Sequence, residues 1–168
     1  FLGWYYSRGR YNGIDSRRKA RIVIGKDTRR SSYMLEYALS AGITASGADA
    51  YLLHVTTTPS VAYVTVTDGF DCGIMISASH NPFYDNGIKL LNSKGEKETD
   101  ELLNMIEAYL DGKADPVPFA IDTAIGRTFD YFEGRNRYVA YLISTATECF
   151  KNIKVGLDCS NGSTWNIA

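Results

Sequence analysis

Apolar positions follow two alternating rhythms along this chain. Arg21-Ile22-Val23-Ile24-Gly25 is a short β-branched run closed by a glycine, the pattern of a strand covered on both faces. Behind it Leu35, Leu39 and Ile43 recur every four residues, and Gly47 stands where a left-handed stop belongs, so a helix is predicted over roughly 31–46. Residues 49–55 read as a second strand. Thr58-Pro59 supplies an N-cap and a proline at the first helical position of a short helix closing near Asp68-Gly69. Cys72 to Ile76 is a third continuously apolar strand, and the turn signal Asp85-Asn86-Gly87 introduces a fourth over 88–91. Leu102, Leu103, Ile106 and Leu110 form one stripe of a helix running from near Thr99 to just before Gly112. Pro116 and Pro118 mark a connector, after which Tyr138, Leu142 and Ile143 sit on a helix running toward Phe150.

Strands alternating with helices at this spacing predict an α/β domain: a mostly parallel or mixed sheet sandwiched by helices. The two ends break the rhythm. Phe1, Leu2, Trp4 and Tyr5 resemble the inside of an amphipathic helix whose start is missing. Residues 153–158 read as a strand, followed by the loop Ser160-Asn161-Gly162-Ser163 and an apolar restart at Trp165 and Ile167. That is half of a βα unit, unable to bury its own apolar face. The expected organisation is one domain over 1–150, truncated at its start, and the truncated opening of a second over 151–168.

Composition narrows the functional classes. With 168 residues, 45% hydrophobic and 22% charged, the chain can bury a core and is not a disordered segment. A net charge of -1 provides no basic field to recruit nucleic acid or anionic membrane, and the twelve tyrosines form no base-stacking platform. No apolar run approaches the roughly 20 residues needed to span a bilayer. Cys72, Cys149 and Cys159 lack C-x-x-C spacing, which argues against a disulfide framework or zinc site and for a reducing, cytoplasmic location. Cys72 and His54 read as core or edge residues, while Trp4, Tyr5 and Tyr6 on the opening helix are a candidate self-association patch that would make a homodimer.

Two polar loops leave the carboxyl ends of strands, where open α/β sheets bind ligands. Lys26-Asp27-Thr28-Arg29-Arg30-Ser31-Ser32 brings three cations to a helix N-terminus, and Lys26, Arg29 and Arg30 are candidate phosphate contacts. Ser77-Ala78-Ser79-His80-Asn81-Pro82 holds a hydroxyl at the sheet rim, with His80 beside it and Lys89 on the following strand to assist it. The plainer reading is that Ser77 and Ser79 only cap the turn. There is no G-x-S-x-G elbow, which counts against an esterase.

The run Ser77-Ala78-Ser79-His80-Asn81-Pro82-Phe83-Tyr84-Asp85-Asn86-Gly87-Ile88-Lys89 resembles the active-site segment of the α-D-phosphohexomutases, most closely their phosphoglucosamine mutase branch. Ile24-Gly25-Lys26-Asp27-Thr28-Arg29 resembles that family's first-strand motif, and Asp158-Cys159-Ser160-Asn161-Gly162-Ser163 the opening of its second domain. The resemblance implies that Ser79 carries a phosphoryl group and passes it to a hexosamine phosphate. A bisphosphate intermediate then reorients, so that glucosamine 6-phosphate and glucosamine 1-phosphate interconvert. It further implies a magnesium ion on the phosphoserine 79 oxygens, Lys89 in proton transfer, Arg29 holding the transferring phosphate, and His80 and Asn81 shaping the serine loop. The family's D-x-D-x-D metal run is absent from this sequence, as is its T-D-G-x-R-G opening, so the chain alone is expected to be inactive. Phosphomannomutase or phosphoglucomutase specificity, and a non-catalytic phosphate-binding module, are the alternative readings.

Overall fold

In a computed structural model, residues 1–8 and 18–168 are described. Five strands form one sheet: β1 (Arg21–Lys26), β2 (Asp49–Val55), β3 (Cys72–Ile76), β4 (Ile88–Asn92) and β5 (Thr128–Asp130). Their spatial order is β4-β3-β1-β2-β5; β4 runs antiparallel to β3, and the other pairs are parallel. The helices are α1 (Leu2–Arg8), α2 (Arg30–Ala45), α3 (Thr58–Thr67), α4 (Asp100–Leu110) and α5 (Phe132–Ser144).

Strand alternation sorts the core into two layers, because successive side chains leave a strand on opposite faces. Ile22 and Ile24 of β1, Ala50 and Leu52 of β2, and Cys72, Ile74 and Ile76 of β3 face one way, against Tyr6 of α1, Ile43 of α2 and Leu102 of α4. Val23, Leu53 and Met75 face the other way, against Val61 and Val64 of α3 and the ring of Tyr131. Both faces are covered, which is why β1 and β3 read as unbroken apolar runs. α1 is tethered through Tyr6, whose buried hydroxyl donates to Glu98. Burial, reinforced by the neighbouring carboxylate, pushes both the Tyr6 phenol and the adjacent Cys72 thiol well above their usual ranges.

Four details differ from the sequence expectation. The N-cap of α3 is Thr57 rather than Thr58, its hydroxyl accepting from Ser60 N. α5 stops at Ser144, where the hydroxyls of Ser144 and Thr145 donate back to Tyr141 O and Leu142 O in place of continuing the helix. Residues 153–158 pair with no strand among the described residues, and Ile153, Val155 and Leu157 stand exposed. A strand exists only where a neighbour accepts its N–H groups and supplies N–H to its carbonyls, and none does so here. The edge strand β5 was not anticipated; three exposed residues are too few to show a period.

Candidate phosphoryl-transfer site

β1 has β2 on one side and β3 on the other, so the chain reverses its direction of travel across the sheet at the β1/β3 boundary. Such a switch point opens a crevice at the carboxyl ends of the strands. The loop after β1 and the loop after β3 both emerge there. They line a cleft of about 810 Å³ together with Thr57 and Thr58 at the start of α3 and with Gly162 and Ser163 from the end of the chain. Thr28 Oγ1 donates to Asn161 O at 3.1 Å, and Asn166 Nδ2 to Val55 O at 2.8 Å, which seats that last segment on the rim.

β3 and β4 are two arms of a hairpin, with Met75 opposite Lys89 and Ile76 opposite Ile88. Ser77 N donates to Gly87 O at 2.8 Å and closes the base of the loop. The arms approach so closely that a Cβ on Gly87 would lie 2.5 Å from Ser77 O, so no other residue fits. Above this base Ser79 is exposed and adopts φ +56°, a left-handed conformation rare for serine. Its own N–H donates to Ser77 Oγ at 3.0 Å, and Asn81 N donates to Ala78 O at 3.1 Å. The hydroxyl of Ser77 therefore does cap the turn; that of Ser79 instead accepts from Lys89 Nζ at 2.6 Å. Zigzagging side chains place Lys89 beside Ser79 although ten residues separate them.

The cationic loop divides. Lys26, expected to face phosphate, is only 2% exposed and donates to Glu36 Oε2 at 2.6 Å, beneath the ring of Tyr33. As the last residue of β1 it alternates into the layer under α2 and points away from the cleft. Arg29, expected to hold the transferring phosphate, directs its guanidinium at the serine loop's backbone and at Asp27 Oδ2, 2.9 Å from Nε. Arg30 is exposed on the cleft wall, at the N-terminus of α2, which no side chain caps. His80 is exposed beside Ser79. Asn81 contributes its backbone, accepting from Arg29. Asp27 was not singled out in sequence, although an aspartate in a turn readily accepts from the backbone N–H two residues on, and Arg29 N does donate to Asp27 Oδ1 at 3.0 Å.

His54 lies on β2 at a register shift in the β1–β2 ladder, at φ +58°. It sits 3.4 Å from Glu36 Oε1 and 3.0 Å from Asp130 Oδ1, behind the cleft rather than in it. Among the described residues no three His, Cys, Asp or Glu side chains converge to hold a metal ion, and no helix is long and apolar enough to cross a membrane.

Residues 7–116 match the family model for the phosphoglucomutase/phosphomannomutase alpha/beta/alpha domain I. A phosphoglucosamine mutase of Lachnospira eligens is 64% identical over all 168 residues, and one of Lachnoclostridium phytofermentans is 60% identical over the same length; the chain covers 36% of each. A Bacillus mycoides phosphoglucosamine mutase is 46% identical over 150 residues, 34% of its length. The chain thus spans about a third of the relatives it matches. Among solved structures, a phosphoglucomutase/phosphomannomutase family protein of Burkholderia thailandensis superposes with a TM-score of 0.58 at 21% identity, covering 75% of this chain and 28% of that one. A putative phosphomannomutase of Thermus thermophilus gives the same TM-score at 25% identity, covering 74% of this chain and 27% of its own. A family model matched over most of the chain, on a sheet that also superposes, establishes that this chain belongs to the phosphoglucomutase/phosphomannomutase family, whose alpha/beta/alpha domain I it contains.

Proposed function

We propose that this chain is the phosphoserine-bearing domain of a hexosamine-phosphate mutase, with residues 1–150 forming that domain and 151–168 opening the next. The single observation that carries the reading is the Lys89–Ser79 contact: an exposed hydroxyl on a strained turn, 2.6 Å from an ammonium, at the mouth of a cleft. In the transfer step the bond from phosphorus to Ser79 Oγ breaks as one forms to the sugar hydroxyl. One proton must pass from that hydroxyl to Oγ. The Lys89 ammonium gives a proton to the departing Oγ as its Nζ takes the one the sugar hydroxyl loses, and the reverse step returns it. Phosphoryl transfer otherwise needs positioning and charge neutralisation, which the N-terminus of α2 and Arg30 supply.

The names of the relatives favour glucosamine phosphate as the sugar. The magnesium ion implied by the phosphohexomutase resemblance would neutralise charge on the phosphoserine oxygens. The described side chains offer it no set of protein ligands.

The test is to incubate the whole protein with a hexose 1,6-bisphosphate and map the added phosphoryl group by mass spectrometry. Phosphorylation at Ser79, absent in Ser79→Ala, together with conversion of glucosamine 6-phosphate to glucosamine 1-phosphate, is expected. Phosphorylation elsewhere, or equal labelling of Ser79→Ala, would refute the reading. Faster conversion of mannose or glucose phosphates would move the specificity to the phosphomannomutase/phosphoglucomutase alternative.

A further inference from the structure

A guanidinium has five N–H donors in a planar fork and no acceptor. In Arg29 every one is committed. Nε donates to Asp27 Oδ2 at 2.9 Å. Nη1 donates to Pro82 O and, at 3.2 Å, to Asp85 O. Nη2 donates to Ser79 O at 3.0 Å and Asn81 O at 2.9 Å. The side chain is only 10% exposed, and Asp27, at 11%, cancels its charge at contact distance. A group so bound has no donor left for a phosphate oxygen and little net charge to offer one.

What it does instead is gather four carbonyls of one loop around a single cation. Those carbonyl dipoles point at a common centre and would repel one another without it. They belong to the residues that carry Ser79 through φ +56° and return the chain toward β4. We propose that Asp27 and Arg29 form a latch that fixes the conformation of the Ser79 loop, and that both are positioning residues rather than phosphate ligands. The division of labour follows: Arg29 shapes the loop, while Arg30 and Lys89 supply the positive charge that an incoming phosphate meets. Lysine cannot replace Arg29, because three tetrahedral donors on a point charge cannot span acceptors spread over seven residues of loop.

The latch itself is defined by geometry; only its catalytic consequence rests on the mutase reading, so the experiment has two arms. In the first, hydrogen exchange is followed in the whole protein for the peptide covering 77–87, comparing native, Arg29→Lys, Arg29→Ala, Asp27→Asn and Arg30→Ala. Arg29→Lys and Arg29→Ala are expected to speed exchange of the Asn81 and Asp85 amides, which bond Ala78 O and Pro82 O within the loop, by about tenfold or more. Asp27→Asn is expected to have a smaller effect of the same kind, and Arg30→Ala none. Unchanged loop exchange in Arg29→Lys would overturn the latch, and so would acceleration spread evenly over β1 to β3, because a latch acts locally. In the second arm, inorganic phosphate is titrated as the probe and turnover is measured. Arg29→Lys is expected to keep phosphate affinity within about twofold and KM near native while kcat falls, whereas Arg30→Ala weakens phosphate. Loss of phosphate affinity in Arg29→Lys with an unaltered loop would make Arg29 a ligand after all. A native protein that never labels at Ser79 would refute the mutase reading and leave the exchange result standing.

Discussion

Lys26 and Lys89 both sit on strands that border the cleft, and each brings its ammonium to 2.6 Å from an oxygen. The oxygens differ in kind. Lys26 meets the carboxylate of fully buried Glu36, and the pair lies under α2 with Tyr33 across the ammonium. Lys89 meets a neutral hydroxyl at a partly open surface. A buried pair gives up its hydration and cancels its charge, so it contributes to the arrangement of β1 and α2 and nothing to an incoming anion. A lysine facing a hydroxyl keeps a charge, or a proton, to give. Proximity to the sheet's carboxyl edge does not make a cation functional; the partner it is left with decides.

That contrast can be broken by substitution, starting where the effect is largest. Lys26→Met strands Glu36 as a buried carboxylate whose other oxygen lies 3.4 Å from His54 Nδ1, and should cost about 3–5 kcal/mol in urea unfolding. A loss below about 1 kcal/mol would mean that the pair is not dry. Lys89→Met should reverse the profile: turnover in the whole protein falls by about 10²–10³-fold, while stability changes by no more than about 0.5 kcal/mol. Equal destabilisation by both substitutions would erase the distinction. The double variant Lys26→Met/Glu36→Leu removes both charges and should recover most of what Lys26→Met loses, ending within about 1 kcal/mol of native.

The smallest effect concerns alkaline pH. The Cys72 thiol and Tyr6 phenol both titrate higher in the fold than free in solution, chiefly because burial disfavours the ion. Below their ordinary values of 9.0 and 10.0 both groups are protonated folded or unfolded, and their contribution to stability is fully present. Above about pH 9 the unfolded chain releases the thiol proton first, so stability falls, by up to about 1.4 kcal/mol per pH unit for each group. Cys72→Ala should flatten the fall between about pH 9 and 10 in paired denaturation curves, and an unchanged slope would remove the thiol from this account.

The sheet was legible because its three inner strands are apolar on both faces and their flanking helices carry clean caps and stops, as at Thr99 and Gly47. β5 was not, because pairing at an edge is decided by a neighbouring strand rather than by its own three residues. For the site, the serine run and Lys89 were visible as a contiguous stretch, and the structure brings their side chains together. The roles of Lys26 and Arg29 could not be read the same way. Whether a cation faces solvent, a carboxylate or a ring of carbonyls depends on residues brought near by folding: Glu36 from the second turn of α2, and Asp85 from the far end of another loop. Positive charge shows in a sequence, but its cancellation shows only in three dimensions.

The position of β4 has one more implication. Lys89 is carried by an edge strand, hydrogen-bonded along one side to β3 and, among the described residues, on the other only through a single bridge from Leu91 to Lys97. Border strands fray before interior ones, so warming should draw the ammonium away from Ser79 while β1, β2 and β3 are still intact. Heat inactivation would then precede melting, and reinforcing that one border would extend the working range without touching the cleft.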